Sequence, residues 1–527
     1  MSKFNQSSNV NTNKTVNHEG VTAYSLSNEM ELYTLVCTSN ISDKFYTSSN
    51  ETLHRLRRLV QEVDTKFTAK LAIYAREQMY LRSIPLVLVV ELAKVHSGDN
   101  LVSETIKRVV VRADEITELL AYYQSANINE NKSKDKKYTQ TKKLNKLSNQ
   151  VKKGIRLVFE SGKFDEYQYS KYNRKTEVKL RDALFLTHPS PSDKAQTELF
   201  KNIANDTLET AYTWESKMSD AGKADSPATS KKAVWEEMID SNRMGYMATL
   251  RNLRNLLNEG VSQKHMQKVC TYLGDSVAVS KSKQLPFRFL SAYRMLTASR
   301  PWDRWDYSDS KPVESPYLNM VLEALEKAIS HSIHNIPMFD GDTVLISTDV
   351  SASMQSSVSG NSVITMYDIG TVLSMMMYKK CKASMTGMFG DTFKIVNYPK
   401  NDILRNADDI HKREGEVGYS TNGFKVIDWA NNQKKTKFDK IMMFTDCQLW
   451  NSGFYDSSIQ DSWKKYSSNN PECKLYIFDL SGYGTSPVDV CDNNVTLLSG
   501  WSDKVFDVLA SVENGEQVLR EVKSIDI

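Results

Sequence analysis

Asp349-Val350-Ser351-Ala352-Ser353 sets one carboxylate and two hydroxyls at alternate positions, directly after the apolar run Val344-Leu345-Ile346. The spacing leaves Val350 and Ala352 to turn into a core while the three oxygen-bearing side chains share a side. Hard divalent cations take oxygen ligands of this kind, and Mg²⁺ keeps several waters besides. A short apolar strand that ends this way brings its oxygens to the carboxyl edge of an open α/β sheet, where ligands gather. The plainer reading is that Asp349 and Ser353 only cap the next helix.

Two further pieces fall where such a site needs them. Lys440-Ile441-Met442-Met443-Phe444-Thr445-Asp446 is a second apolar strand ending in a carboxylate. Between the two strands, Gly418-Tyr419-Ser420-Thr421-Asn422-Gly423 is a glycine-bounded loop that offers Thr421, with Ser420 adjacent. This set resembles the von Willebrand factor A family and its metal-ion-dependent adhesion site, over roughly the last third of the chain. The resemblance implies Mg²⁺ held by Asp349, Ser351, Ser353, Thr421 and Asp446. It also implies one position left open for a carboxylate from an acidic protein partner.

The elements around these residues divide the chain. From about residue 51 to 335 the apolar positions recur at helical spacing, as in Leu53, Leu56, Leu59 and Val60, and no strand alternation competes. Successive helix pairs without a fixed period predict an all-α region, possible as a helical-repeat array. After Ile336-Pro337 short apolar strands (Thr343–Thr348, Ser384–Phe389, Phe438–Thr445, Leu475–Leu480) alternate with helical patterns, which predicts a parallel sheet covered on both faces. The expected division is a polar segment 1–20, a helical domain 21–337 and an α/β domain 338–527.

Composition narrows the function classes. A net charge of +4 leaves room only for a local nucleic-acid patch. Six cysteines without CxxC spacing predict reduced, mostly buried thiols rather than a disulfide framework or zinc site. The polar start lacks a signal-peptide core, and Ile84 to Val90 is far short of a membrane span. The expectation is a soluble, cytoplasmic protein with no membrane partner. Eight histidines, with no G-x-S-x-G elbow, P-loop or H-E-x-x-H helix, give little for catalysis. Two carboxylates are also few for a two-metal nuclease. A non-enzymatic binding protein is expected.

A helical first half followed by an A domain with this metal motif resembles the Ro autoantigen family, the RNA-binding ring proteins built on the TROVE module. Leu71-Ala72-Ile73-Tyr74-Ala75-Arg76 with Leu81-Arg82-Ser83-Ile84-Pro85 carries the resemblance, as do Met247 to Leu253 and Leu285-Pro286-Phe287-Arg288. It implies a closed ring of HEAT-like helix pairs bridged by the A domain, acting as a monomer. It further implies binding of Y-type small RNA and of the single-stranded 3′ ends of misfolded RNA, in RNA quality control. An exoribonuclease tethered through RNA is a partner of bacterial relatives.

The residues themselves speak for RNA between 132 and 181. Lys132, Lys134, Lys136 and Lys137 form an expected lysine-rich loop. Lys142 and Lys143 open a helix that buries Leu147, Val151, Ile155 and Val158 and turns lysines outward, as a phosphate-binding face would. Tyr167, Tyr169 and Tyr172 lie among Lys171, Arg174 and Lys175, a composition suited to stacking on unpaired bases. By resemblance, Arg174, Lys175, Lys179, Arg181 and His188 belong to the RNA-binding surface, although a lone His before Pro189 also reads as a turn residue. Lys281, Lys283, Arg288 and Arg294 form a second basic set. The bland alternative throughout is a solvated charged face. The competing function is a metal-dependent protein scaffold that grips an acidic partner residue through the A domain.

Overall fold

The computed structural model describes residues 14–39, 49–134, 147–172, 178–223, 231–297, 312–333, 336, 339–358, 362–413, 415–450, 458–492 and 494–527; for 127–134 and 220–223 it describes backbone alone. The chain forms two compact units, one of residues 1–56 and 231–520, the other of residues 57–230 and 521–527.

The first unit is built on a six-stranded sheet. Its strands are β3 (Thr343–Asp349), β4 (Ala383–Phe389), β5 (Phe393–Val396), β6 (Lys440–Thr445), β7 (Lys474–Asp479) and β9 (Val495–Ser499). The order is β5-β4-β3-β6-β7-β9, parallel throughout except for β5, which folds back antiparallel on β4. Because β3 connects onward to β4 on one side and its other neighbour is β6, the strand order reverses at β3/β6. That switch point leaves a crevice at the strands' carboxyl ends. Strand β6 is buried along its whole length, as a parallel strand covered on both faces must be. Helix Met366–Lys380 opens with a capping box, in which Thr365 and Asp368 bond each other's backbone N–H groups, and is buried from Met366 to Tyr378.

Residues 14–20, the described part of the expected polar segment 1–20, enter the fold together with residues 21–25. Strand β1 (Lys14–Val16) pairs antiparallel with β2 (Thr22–Ser25), and β2 pairs with β8 (Thr485–Ser486) in a second, three-stranded sheet. The compact unit also takes in helices between Lys231 and His331, so it holds more than the α/β region. Part of the reason is a buried ion cluster. Arg294, on helix Phe287–Thr297, meets Asp368 on helix Met366–Lys380 and Asp408 on helix Ile403–His411.

The second unit is helical, with nine helices between Thr65 and Lys223 among the described residues. Gly154 on helix Asn149–Glu160 faces Ile106 on helix Leu101–Val109, and a Cβ there would overlap the Ile106 side chain. The signature formed by residues 71–76 and 81–85 has a structural role here. Arg76 pairs with buried Glu115 at 2.6 Å and donates to the Leu81 carbonyl at 3.0 Å. Ser83 Oγ donates to Glu118 at 2.6 Å, and Pro85 lies in the first turn of helix Ser83–Val95, where its missing N–H costs no helical bond. No helix among the described residues is long and apolar enough to cross a membrane.

Candidate metal centre and nucleic-acid interface

Sheet register brings the two predicted acids to one place. Asp349 ends β3, and Asp446 follows the last residue of its neighbour β6. Asp349 Oδ1 accepts the Ser351 N–H at 2.9 Å, while Oδ2 accepts the Thr445 hydroxyl at 2.7 Å. The Ser351 and Ser353 hydroxyls stand 3.2 Å apart. Asp446 Oδ1 accepts the Gln448 N–H at 3.0 Å, in a turn where Cys447 takes a φ of +64°. Ser353 and Thr421 line one cavity of about 220 Å³ with Glu19, Ala352, Tyr419, Ser420 and Trp450.

The Thr421 loop is held by its glycines. Gly418 sits at φ +78°, and a Cβ there would collide with the Asp391 carboxylate. Asp391 Oδ1 in turn accepts the Ser420 N–H at 2.8 Å. The Ala352 N–H donates to the Tyr419 carbonyl at 3.0 Å, which ties this loop to the one carrying Ser351 and Ser353. Capping does not account for the acids. The short 3₁₀ turn Ala352–Gln355 has no side-chain cap at Ser351, and Asp349 spends its oxygens on the turn and on Thr445.

Electrostatics favour a cation here. Burial, and then the neighbouring Asp446 charge, push the Asp349 carboxyl well above its ordinary range; burial likewise raises Asp446. Asp446 Oδ2 is shut from solvent without a well-formed hydrogen bond, although the nearby Ser353 hydroxyl favours its ionised form. Buried charges of one sign are costly unless paired or bound to a metal. Two acids and three hydroxyls suit a hard, oxygen-seeking divalent ion. Among the described residues no group of three or more His, Cys, Asp or Glu side chains could hold a metal, so any such site leans on hydroxyls.

The basic candidates scatter more. Lys132 and Lys134 lie at the end of helix Ala113–Lys134 instead of in a loop. Lys136, Lys137, Lys142, Lys143, Arg174 and Lys175 fall outside the described residues. Tyr172 lies under the Arg112 guanidinium at 4.5 Å and near the Lys171 ammonium at 5.5 Å. These three line a cavity with Tyr167. Lys179 and Arg181 are exposed at the start of helix Leu180–Thr187, Lys179 within 3.7 Å of Asp206. His188 is exposed and closes that helix in the left-handed conformation, at φ +46°.

Two expectations are overturned by burial. Tyr169 is 1% exposed and stacks on Phe159 at 5.8 Å, so it is core and no base can reach its ring. Arg294 belongs to the buried ion cluster, whereas Lys281, Lys283 and Arg288 do reach solvent. Sequence reasoning missed Thr445, which fixes Asp349, although its place at the end of β6 was a local signal. It also missed Gln448 and Glu19, for which no local pattern exists.

Two domain families match the chain in sequence: the TROVE domain over residues 24–226 and 207–299, and the Ro60 vWA domain over residues 343–512. The chain belongs to the Ro family of TROVE-domain proteins. RNA is the partner class that comes with this family. The crystal structure of the Deinococcus radiodurans Ro protein has the same fold, with a TM-score of 0.60 and 18% identity over 92% of this chain and 100% of that one. Telomerase protein component 1 from Mus musculus is 43% identical over 81 residues, 15% of this chain and 3% of that protein. Its Rattus norvegicus counterpart is 40% identical over 89 residues, 17% of this chain and 3% of the relative. The chain thus spans only a small part of those two relatives. In this Ro protein the metal candidates sit in the α/β unit, whereas Tyr172, Lys179, Arg181 and His188 sit in the helical one.

Proposed function

We propose that this Ro protein binds Y-type small RNA and the single-stranded 3′ ends of misfolded structured RNA, as a non-enzymatic component of RNA quality control. The observation that carries the reading is the succession of a TROVE domain and a Ro60 vWA domain on one chain. Phosphate contacts from exposed cations such as Lys179 and Arg181 would supply most of the affinity, and aromatic–cation groupings such as Tyr172 with Arg112 would suit unpaired bases. A ring whose hole admits a single strand, a monomeric state, a cytoplasmic location and an exoribonuclease tethered through bound RNA belong to the same proposal. The test is binding to a hairpin with a single-stranded 3′ tail and to its blunt counterpart across a salt series. Tight, salt-sensitive binding that needs the tail supports the reading; equal, weak binding to both overturns it.

Mg²⁺ at the metal-ion-dependent adhesion site is proposed with it, held by Asp349, Ser351, Ser353, Thr421 and Asp446. The bound ion would supply a Lewis-acidic position for a carboxylate. The orphaned Asp446 Oδ2 favours this and keeps a second role in view, a scaffold that grips an acidic protein partner through the A domain. Capture of such a partner that is lost on chelation and in Asp349→Ala would support that role; capture indifferent to both would exclude it.

A further inference from the structure

Helix Glu166–Tyr172, in the helical unit, turns Tyr169 into the core. There Tyr169 stacks on Phe159 and meets Phe164 edge-on at 5.7 Å, which anchors the helix. Tyr167, Gln168, Lys171 and Tyr172 stand at positions i, i+1, i+4 and i+5, so they share another face. That face looks across at residues 111–113, and the two sides border a cavity of about 270 Å³.

The rings and charges around this cavity are held in place. Asp114 takes the Arg112 guanidinium by two bonds, from Nε at 3.1 Å and from Nη2 at 3.0 Å, and so fixes it over the Tyr172 ring at 4.5 Å. Tyr167 is 41% exposed, and its hydroxyl donates to the Tyr212 carbonyl at 3.4 Å. Its ring therefore offers a π-face to a planar ligand. Lys171 Nζ lies 6.0 Å from the Tyr167 centroid and 5.5 Å from that of Tyr172, and it pairs with no carboxylate among the described residues. Asp165 Oδ1 accepts the Gln168 N–H at 2.8 Å, while Gln168 Oε1 accepts the Asp165 N–H at 3.0 Å. This exchange orients both side chains. It leaves the second Asp165 oxygen as an acceptor and the Gln168 amide nitrogen as a donor on the cavity wall.

We propose that this cavity binds one unpaired nucleotide in the single-stranded tail of a bound RNA. The base stacks on the Tyr167 ring, the phosphate meets the Lys171 ammonium, and the base edge meets Asp165 and Gln168. Every base carries a donor beside an acceptor on its Watson–Crick edge, so this wall serves any of the four. A paired base has already spent that edge and buried its faces in the stack. The cavity thus selects single strand over duplex with little preference for sequence. Arg112 acts through Tyr172, as a positioning residue. The inference rests on the RNA-binding reading above and deepens it, by assigning one point of single-strand recognition to named residues.

The test uses the full chain and a hairpin with a single-stranded 3′ tail, carrying 2-aminopurine at successive tail positions or, as a control, inside the stem. Stacking on Tyr167 is expected to quench the fluorophore at one tail position and to leave the stem signal unchanged. Tyr167→Leu should weaken binding about tenfold at every salt concentration and abolish that quench, because stacking is not screened by salt. Its melting temperature should match the wild type, since the ring is exposed. Tyr167→Trp should keep both affinity and quench. Lys171→Gln should lower the salt slope by about 1 and retain the quench. Tail-dependent binding by the wild-type chain that Tyr167→Leu leaves unchanged, or weakens with the quench retained, would overturn the pocket and leave the RNA-binding reading standing. Equal, weak binding of tailed and blunt hairpins by the wild-type chain would overturn both.

Discussion

Arg294 Nη1 lies 2.8 Å from Asp368 Oδ2, with the two side chains 2% and 0% exposed. Asp408 joins at 3.2 Å from Arg294 Nε, and His411 Nδ1 lies 2.8 Å from the other Asp368 oxygen. A guanidinium is always charged, so the helix Phe287–Thr297 can bury it only where carboxylates wait. Removing one partner leaves the others buried and uncompensated. Arg294→Ala is expected to lose about 3–5 kcal/mol in urea unfolding, and Arg294→Ala with Asp368→Asn to lose less than the two single changes added together. Full additivity would show that the cluster is not a unit.

The same cluster sets an acid limit. Burial opposes the Asp368 charge, but the Arg294 guanidinium and His411 outweigh it and hold the carboxyl well below its ordinary range. A depressed folded value means that the contribution is complete above the unfolded pKa of about 4 and is lost as the pH falls toward the folded value. Wild-type stability should therefore decline below about pH 4. In Arg294→Ala that decline should be shallower, as a melting series in acid buffers would reveal.

The proposed metal centre has the opposite sign. Asp349 and Asp446 are both raised, so without a cation their ionisation destabilises the fold progressively as the pH rises above about 4. A divalent ion bound there would relieve that penalty and would have to displace protons at lower pH. Mg²⁺ is expected to raise the melting temperature more at pH 8 than at pH 5.5, by about 2.7 kcal/mol of stability at a hundredfold excess over Kd. An increment equal at both pH values, or absent in both, would count against the two acids as cation ligands.

Gly418→Ala should damage this centre without touching a ligand. The substitution meets the Asp391 carboxylate and places a side chain at φ +78°. The cost is expected to be about 1–3 kcal/mol, carried by the loop that holds Thr421. Mn²⁺ affinity should fall while the far-ultraviolet dichroism stays native. Unchanged affinity would detach Thr421 from the site.

In the helical unit, exposed cations and buried aromatics should separate cleanly. Lys179→Ala with Arg181→Ala is expected to weaken RNA binding across sequences and to lower the salt slope by about 1–2, with little change in stability. Tyr169→Ala, which opens the contact with Phe159, should instead cost about 3–5 kcal/mol. A Tyr169 variant that folds as wild type and fails only on RNA would reverse this assignment.

What the sequence determined by itself was local. Apolar runs closed by an acid marked β3 and β6, because a buried strand must be apolar and its end is where polar groups can emerge. The resemblance to the von Willebrand factor A family, carried by local motifs, implied the five metal candidates, and 3.6-residue periodicity identified the helical half, including the buried stripe Val151, Ile155 and Val158. The tertiary structure decided what depends on partners distant in the chain. Tyr169 and Tyr167 look alike in sequence, but only Phe159 decides which of them is core. Arg294 resembles its basic neighbours until Asp368 and Asp408 arrive from other helices. Glu19 sits in a polar stretch with no pattern, and reaches the cavity lined by Ser353 and Thr421 only because β2 pairs with β8 and Asn17 bonds Leu449. Periodicity records which face of an element is buried; it carries no record of which remote side chain that face will meet.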